Sequence, residues 1–229
     1  MSKSRTLPSR QRANVLKTYR SRGRANRNLW LVYSQKTNRD WVLRSDRHFV
    51  HWVLNLESDP DIQTFELEPS DPISSATDDA SVDMDALVVR SDGTREHHKL
   101  LLGRQQEPTQ EPAANPQGLT GSADALPVRV FTEADLGSRG VEAMRWLKVV
   151  CYCAAIRDES QTEATLAAIT VTRGKGQGTV LDILQEMPDF DREVSLGVIC
   201  RLAISGDIAF DLSASGFTTG SRWTRRSAR

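Results

Sequence analysis

The sequence predicts two units in series, an α/β unit followed by a mainly α unit, and three observations lead to that expectation. Strand-like apolar runs at 29–33, 41–43, 62–67, 86–89 and 128–131 surround one helix-spaced run at 45–58 in the first half. From about 140 onward, helical spacing dominates until a terminal pair of strand-like runs. The chain has 229 residues, more than one typical domain of about 100–150. With 38% hydrophobic and 26% charged residues, it has the composition of a chain that builds packed cores, not of a disordered or fibrous one.

Residues 1–27 hold Arg, Ser and Asn with few large apolar side chains and read as a basic arm. Leu29 to Tyr33, the polar turn Ser34 to Asn38, and Trp41 to Leu43 predict a hairpin. From Ser45, the apolar residues Phe49, Val50, Val53, Leu54 and Leu56 predict one amphipathic helix that stops before Asp59-Pro60. Ile62, Phe65 and Leu67 form a short extended segment. Ala86 to Val89 is a buried-type strand ended by the turn Ser91-Asp92-Gly93, with a second strand from Thr94 to Leu102. Residues 103–126 recur in Pro, Gln, Gly, Ser and Thr without periodicity and read as a linker or insertion.

Val128 to Phe131 resumes as a strand, and Thr132 with Asp135 has the form of a helix N-terminus. A long helix is expected over about Gly140–Ile156. Arg173 to Thr179 reads as a flexible basic turn, since it lacks the spacing of a phosphate-binding loop. Thr179 should cap a short helix over Val180–Leu184, and Glu193–Ser205 forms another, closed by Gly206. Ile208 to Leu212 and Phe217 to Trp223 read as a terminal hairpin. Two short helices followed by a hairpin is the order of a winged helix, in which the second helix usually enters the DNA major groove.

No apolar run reaches the roughly 18–20 residues that span a bilayer, and the opening residues contain no apolar signal segment. A cytoplasmic chain with no membrane association is the expectation. The three cysteines, Cys151, Cys153 and Cys200, have no partner at metal spacing and are expected to be buried free thiols. His48 and His51 are expected on a polar helix face.

The net charge is zero, but its distribution is uneven: Met1 to Arg39 contains no acidic residue, while Asp40 to Asp85 is predominantly acidic. Arg20, Arg22, Arg24 and Arg27 at one end, and Arg222, Arg225 and Arg226 at the other, are candidate DNA-binding residues, because each cation that meets a phosphate releases a condensed counterion.

A phosphodiester hydrolase needs carboxylates converging on a divalent metal and a cation near the scissile phosphate. Asp85 begins one strand, and beyond the Ser91-Asp92-Gly93 turn His97 and Lys99 share one strand face, with Glu96 pointing the other way. An Asp, a turn and then x-x-Lys is the outline of a restriction-endonuclease-like core.

The stretch from Tyr33-Ser34-Gln35-Lys36, through Phe49 to Leu56 and Glu57-Ser58-Asp59-Pro60-Asp61-Ile62, to Phe65-Glu66-Leu67-Glu68-Pro69 resembles the TnsA family, the endonuclease subunits of heteromeric transposases. Val128 to Leu136 also resembles that family's segment leading out of the nuclease core. The resemblance implies an α/β restriction-endonuclease-like N-terminal domain over 28–136, with the insertion 103–126 inside it. A mainly α winged-helix-like C-terminal domain with a basic tail follows over 137–229.

It further implies cleavage of DNA at the transposon 5′ ends, together with a transposase subunit and an ATPase regulator. The catalytic set falls on Asp46, Asp85, His97 and Lys99, with Asp46, Asp85 and His97 as ligands of Mg²⁺ or Mn²⁺. Three positions depart from the family: Asp46 replaces a glutamate, Met84 a proline, and His97 a Glu or Gln. Imidazole is a poor partner for Mg²⁺. A DNA-binding assembly subunit of the same complex therefore stays open as an alternative, as does a winged-helix transcriptional regulator.

Overall fold

The computed structural model describes residues 30–43, 46, 49–67, 85–101 and 126–226. The basic arm, with Arg20, Arg22, Arg24 and Arg27, and residues 103–125 of the insertion lie outside the described residues, as do His48 and the side chain of Asp85.

The expected hairpin forms from β1 (Trp30–Ser34) and β2 (Arg39–Leu43), with Val32 opposite Trp41. Asn38 closes its turn at φ 49°, a left-handed conformation that Asn tolerates. The next run is helical but not amphipathic. It is a π-helix, π1 (Phe49–Asn55), continued by α1 (Leu56–Ser58), and Phe49, His51, Trp52, Val53, Leu54, Leu56 and Glu57 are all buried. His51 is 2% exposed, which corrects its expected place on a polar face. The segment is enclosed by β1, the following sheet and a later helix, so it presents no continuous polar face.

That sheet has the order β3-β4-β5-β6, from β3 (Ile62–Leu67), β4 (Asp85–Arg90), β5 (Arg95–Leu101) and β6 (Val128–Thr132). The first three strands run antiparallel and β6 runs parallel to β5. Strand alternation sends Phe65, Leu67, Ala86, Val88, His98, Leu100 and Phe131 to one buried face. π1 packs on this face, its His51 ring 4.3 Å from Phe131 and its Trp52 ring 6.4 Å from His98. Each buried Phe, Leu or Val among them contributes about 1.5–3 kcal/mol. On the other face Leu87, His97 and Lys99 are half-buried and Val128 and Val130 are exposed.

Thr132 begins α2 (Glu133–Arg145) through the expected capping box, with the Thr132 N–H and hydroxyl each donating to Asp135 Oδ2 at 2.8 Å. The single long helix expected over 140–156 is two helices, α2 and α3 (Leu147–Ala155). The chain tightens at Trp146, whose N–H donates to the Ala143 carbonyl at 3.0 Å, and whose ring lies 6.2 Å from Phe210.

The remaining elements are α4 (Thr162–Lys175), β7 (Gln177–Thr179), α5 (Val180–Gln185), α6 (Arg192–Ile204), β8 (Ile208–Asp211) and β9 (Arg222–Arg225). The sheet order is β7-β9-β8, so the expected terminal hairpin gains a third strand. α4 and β7 replace the flexible turn expected at 173–179. Thr179 caps α5 as expected, and Gly206 closes α6 at φ +85°. Gly178 lies under Trp223: a Cβ there would meet the indole Nε1 at 3.5 Å, and that Nε1 donates to the Thr179 carbonyl at 2.8 Å. One continuous apolar cluster runs from Trp41 to Trp223 through both halves. Among the described residues no helix is long and apolar enough to cross a membrane.

Candidate functional site

The β4–β5 register sets Asp85 opposite Lys99 and Leu87 opposite His97. Strand alternation puts His97 and Lys99 together on the sheet face away from π1, and the backbone of Asp85 lies beside that of Lys99. Glu96 points to the other face, as alternation requires. There its Oε1 accepts from Arg90 at 3.0 Å and lies 2.7 Å from His98 Nε2. Burial holds His98 below the ordinary histidine range against the pull of Glu96, so its neutral imidazole donates to the carboxylate. Burial works to raise Glu96, but the hydrogen bonds from His98 and Arg90 prevail and keep it below the usual range. With His98 neutral, Arg90 supplies the opposing charge.

Asp46 is exposed and stands three residues before Phe49. Its Oδ1 accepts from Trp30 Nε1 at 2.7 Å, and Trp30 stacks on Phe49 with 4.4 Å between ring centroids. Asp46 is thus fixed to the hairpin side of the helix entry, beside π1. Among the described residues no three His, Cys, Asp or Glu side chains are grouped to hold a metal ion. The positions expected to do so offer two carboxylates and one imidazole, a mixed set that suits Mn²⁺ better than Mg²⁺.

Sequence reasoning missed the polar cluster where the β1–β2 turn meets α1. Glu57 is fully buried, accepts from the Ser34 hydroxyl, and faces the Lys36 backbone N–H at 3.4 Å. Lys36 Nζ donates to the carbonyls of Leu56, at 2.6 Å, and Asp59, taking up acceptors that the helix end leaves open. Burial pushes the Lys36 ammonium down to about 8 and pushes the Glu57 carboxyl up. The cluster ties the hairpin to the helix. A Lys near a Glu-containing helix end is a signal available in sequence, but only the fold pairs them.

In the second half, α6 is unsuited to a DNA groove. Ser195 to Cys200 and Leu202 to Ile204 are buried, and α3, α4, α5 and β8 pack around the helix. Arg201 turns inward to the Ile156 carbonyl at 2.6 Å. Arg222, Arg225 and Arg226 are exposed, but they do not form one patch. Arg222 pairs in register with Asp211 in a cleft with Phe210 and Trp223, while Arg225 and Arg226 line a separate groove. Cys153 and Cys200 are buried free thiols, whereas Cys151 is exposed. No family model, curated protein or solved structure matches the chain.

Proposed function

We propose that the chain is a DNA-handling subunit of a transposition system, an endonuclease of the TnsA type that nicks DNA at the transposon 5′ ends beside a transposase and an ATPase regulator. The observation that carries the reading is the pairing of Asp85 with Lys99 across β4 and β5, with His97 two residues away on the same face. A phosphodiester hydrolase needs an acid to hold its metal and a cation close to the scissile phosphate, and neighbouring strands can supply both. The four-stranded mixed sheet supports a restriction-endonuclease-like unit. The order α4-β7-α5-α6-β8-β9 with its three-stranded sheet supports a winged-helix-like one.

Asp85 and His97 would hold a divalent ion, which supplies charge neutralisation and an acidified water, while Asp46, bound to Trp30 on the π1 side, stands apart from them. Lys99 holds its ammonium against the scissile phosphate and stabilises the charge that accumulates there. His97 favours a second reading, an assembly subunit that binds DNA and partners without cutting. Plasmid nicking in Mg²⁺ and Mn²⁺, with and without the neighbouring transposase, separates the two. Metal-dependent nicking lost in Asp85→Ala and Lys99→Ala supports the nuclease, and DNA binding without nicking supports the assembly subunit.

A further inference from the structure

The second sheet brings arginines from two distant stretches of chain onto one groove. Arg173 lies in the last turn of α4, while Arg225 ends β9 and Arg226 follows it. β7 pairs with β9, and the Arg225 N–H donates to the Gly176 carbonyl at 2.7 Å, which ties the end of α4 to the end of β9. Beside them the Arg226 N–H donates to the Asp207 carbonyl at 3.0 Å. The result is a groove of about 680 Å³ that runs between Pro60 and Ser91 of the first half and Gly206 of the second.

All three arginines are exposed, and among the described residues none of them makes an ion pair. Lys175, the neighbouring cation, is already engaged by Glu186 at 2.9 Å. Cations in the last turn of a helix also complement its dipole. That accounts for Arg173 but not for Arg225, which ends a strand, or Arg226, which follows it. Two carboxylates, Asp61 and Asp207, share the lining. Asp207 accepts from the Ser205 hydroxyl at 2.6 Å.

We infer that Arg173, Arg225 and Arg226 hold a DNA phosphate backbone along this groove, so that the second half binds DNA through the end of its sheet and not through α6. The inference rests on the DNA-handling reading above. Guanidinium groups stay charged at every working pH and match phosphate oxygens with two parallel donors. α6 offers no such face, since only its first turn and Ser205 at its end are exposed.

The test is fluorescence anisotropy of a labelled duplex with the full chain across a salt series. It compares wild type with the triple variant Arg173→Gln, Arg225→Gln, Arg226→Gln and with Arg192→Gln at the exposed start of α6. Removing three phosphate contacts should flatten the log affinity against log salt line by about 2–3 units of slope and weaken binding at least about tenfold. Arg192→Gln should leave both unchanged. A wild-type slope in the triple variant, or a loss in Arg192→Gln alone, overturns the groove while leaving DNA handling intact. Wild-type protein that binds no duplex overturns the DNA-handling reading, and the groove with it. The triple variant's unfolding midpoint, expected to match wild type because the side chains are exposed, checks its fold, and Arg226→Gln alone gives an independent smaller loss.

Discussion

Lys36 Nζ donates to the Leu56 carbonyl at 2.6 Å, so a lysine in a hairpin turn closes the end of a helix twenty residues away. Replacing Lys36 by Met keeps the stem and removes the charge, leaving carbonyls without their donor and Glu57 without its nearest cation. The expected loss is roughly 3 kcal/mol of stability, read by urea denaturation, with a larger share of the loss recovered when Glu57→Gln is added.

The same cluster sets a pH dependence with two limbs. Glu57 binds its proton more tightly folded than unfolded, so its contribution is full below the ordinary carboxylate value and is lost as pH rises through the folded one. Lys36, pushed down to about 8 from 10.5, behaves in the opposite sense. Between those values the unfolded lysine holds a proton that the folded one lacks, so the Lys36 contribution rises with pH there. Unfolding free energies from pH 5 to 8 should fall more steeply with rising pH in wild type than in Glu57→Gln, because His98 titrates alike in both and the buried thiols titrate only above that range. A fall of the same size in that variant would falsify the assignment.

Gly197 faces Ile156, and a Cβ on it would meet the isoleucine Cδ1 at 2.7 Å and Cγ1 at 2.8 Å. Gly197→Ala should therefore overpack the α6 interface and cost about 1–3 kcal/mol, although alanine is the better helix former. Ile156→Val should return part of that loss, and a thermal melt of the double variant measures the coupling.

Arg157 joins the two halves through Asp40, with Nη1 and Oδ1 2.6 Å apart and the guanidinium 5.7 Å from the centre of the Tyr33 ring. Arg157→Ala and Asp40→Asn should each cost about 1 kcal/mol. A double-mutant cycle should return a coupling of similar size, and additive losses would mean that the contact contributes nothing.

His97 decides which metal the proposed site would prefer. Substituting Glu for His97 restores an all-oxygen donor set, so nicking should shift from Mn²⁺ towards Mg²⁺. A plasmid assay run in each ion reads the ratio directly, and an unchanged ratio would remove His97 from the ligand set.

Local order was legible wherever one turn or one alternation sufficed. Thr132 and Thr179 marked helix starts because a capping side chain reaches only its own first turn. β4 and β5 were legible because Gly93 marks their turn, and the turn sets the register that puts Asp85 opposite Lys99. α4 was not: its Gln161 start carries no capping hydrogen bond, and Ile169 to Thr172 are β-branched. The fold supplies what the propensity lacks, burying Ala164 and Ala168 one turn apart while Thr172 bonds back to the Ala168 carbonyl at 2.9 Å.

By itself the sequence determined the strands and helices that carry their own caps and turns, the face shared by His97 and Lys99, and the separation of basic ends from an acidic middle. These are short-range properties, fixed by backbone geometry within a few residues. Tertiary structure alone decided that π1 and α6 are enclosed, that Lys36 closes α1, that Arg157 meets Asp40, and that Arg173 joins Arg225 and Arg226 but not Arg222. Each of these depends on which surfaces meet, and burial is a property of the neighbours that packing brings, not of the residues buried.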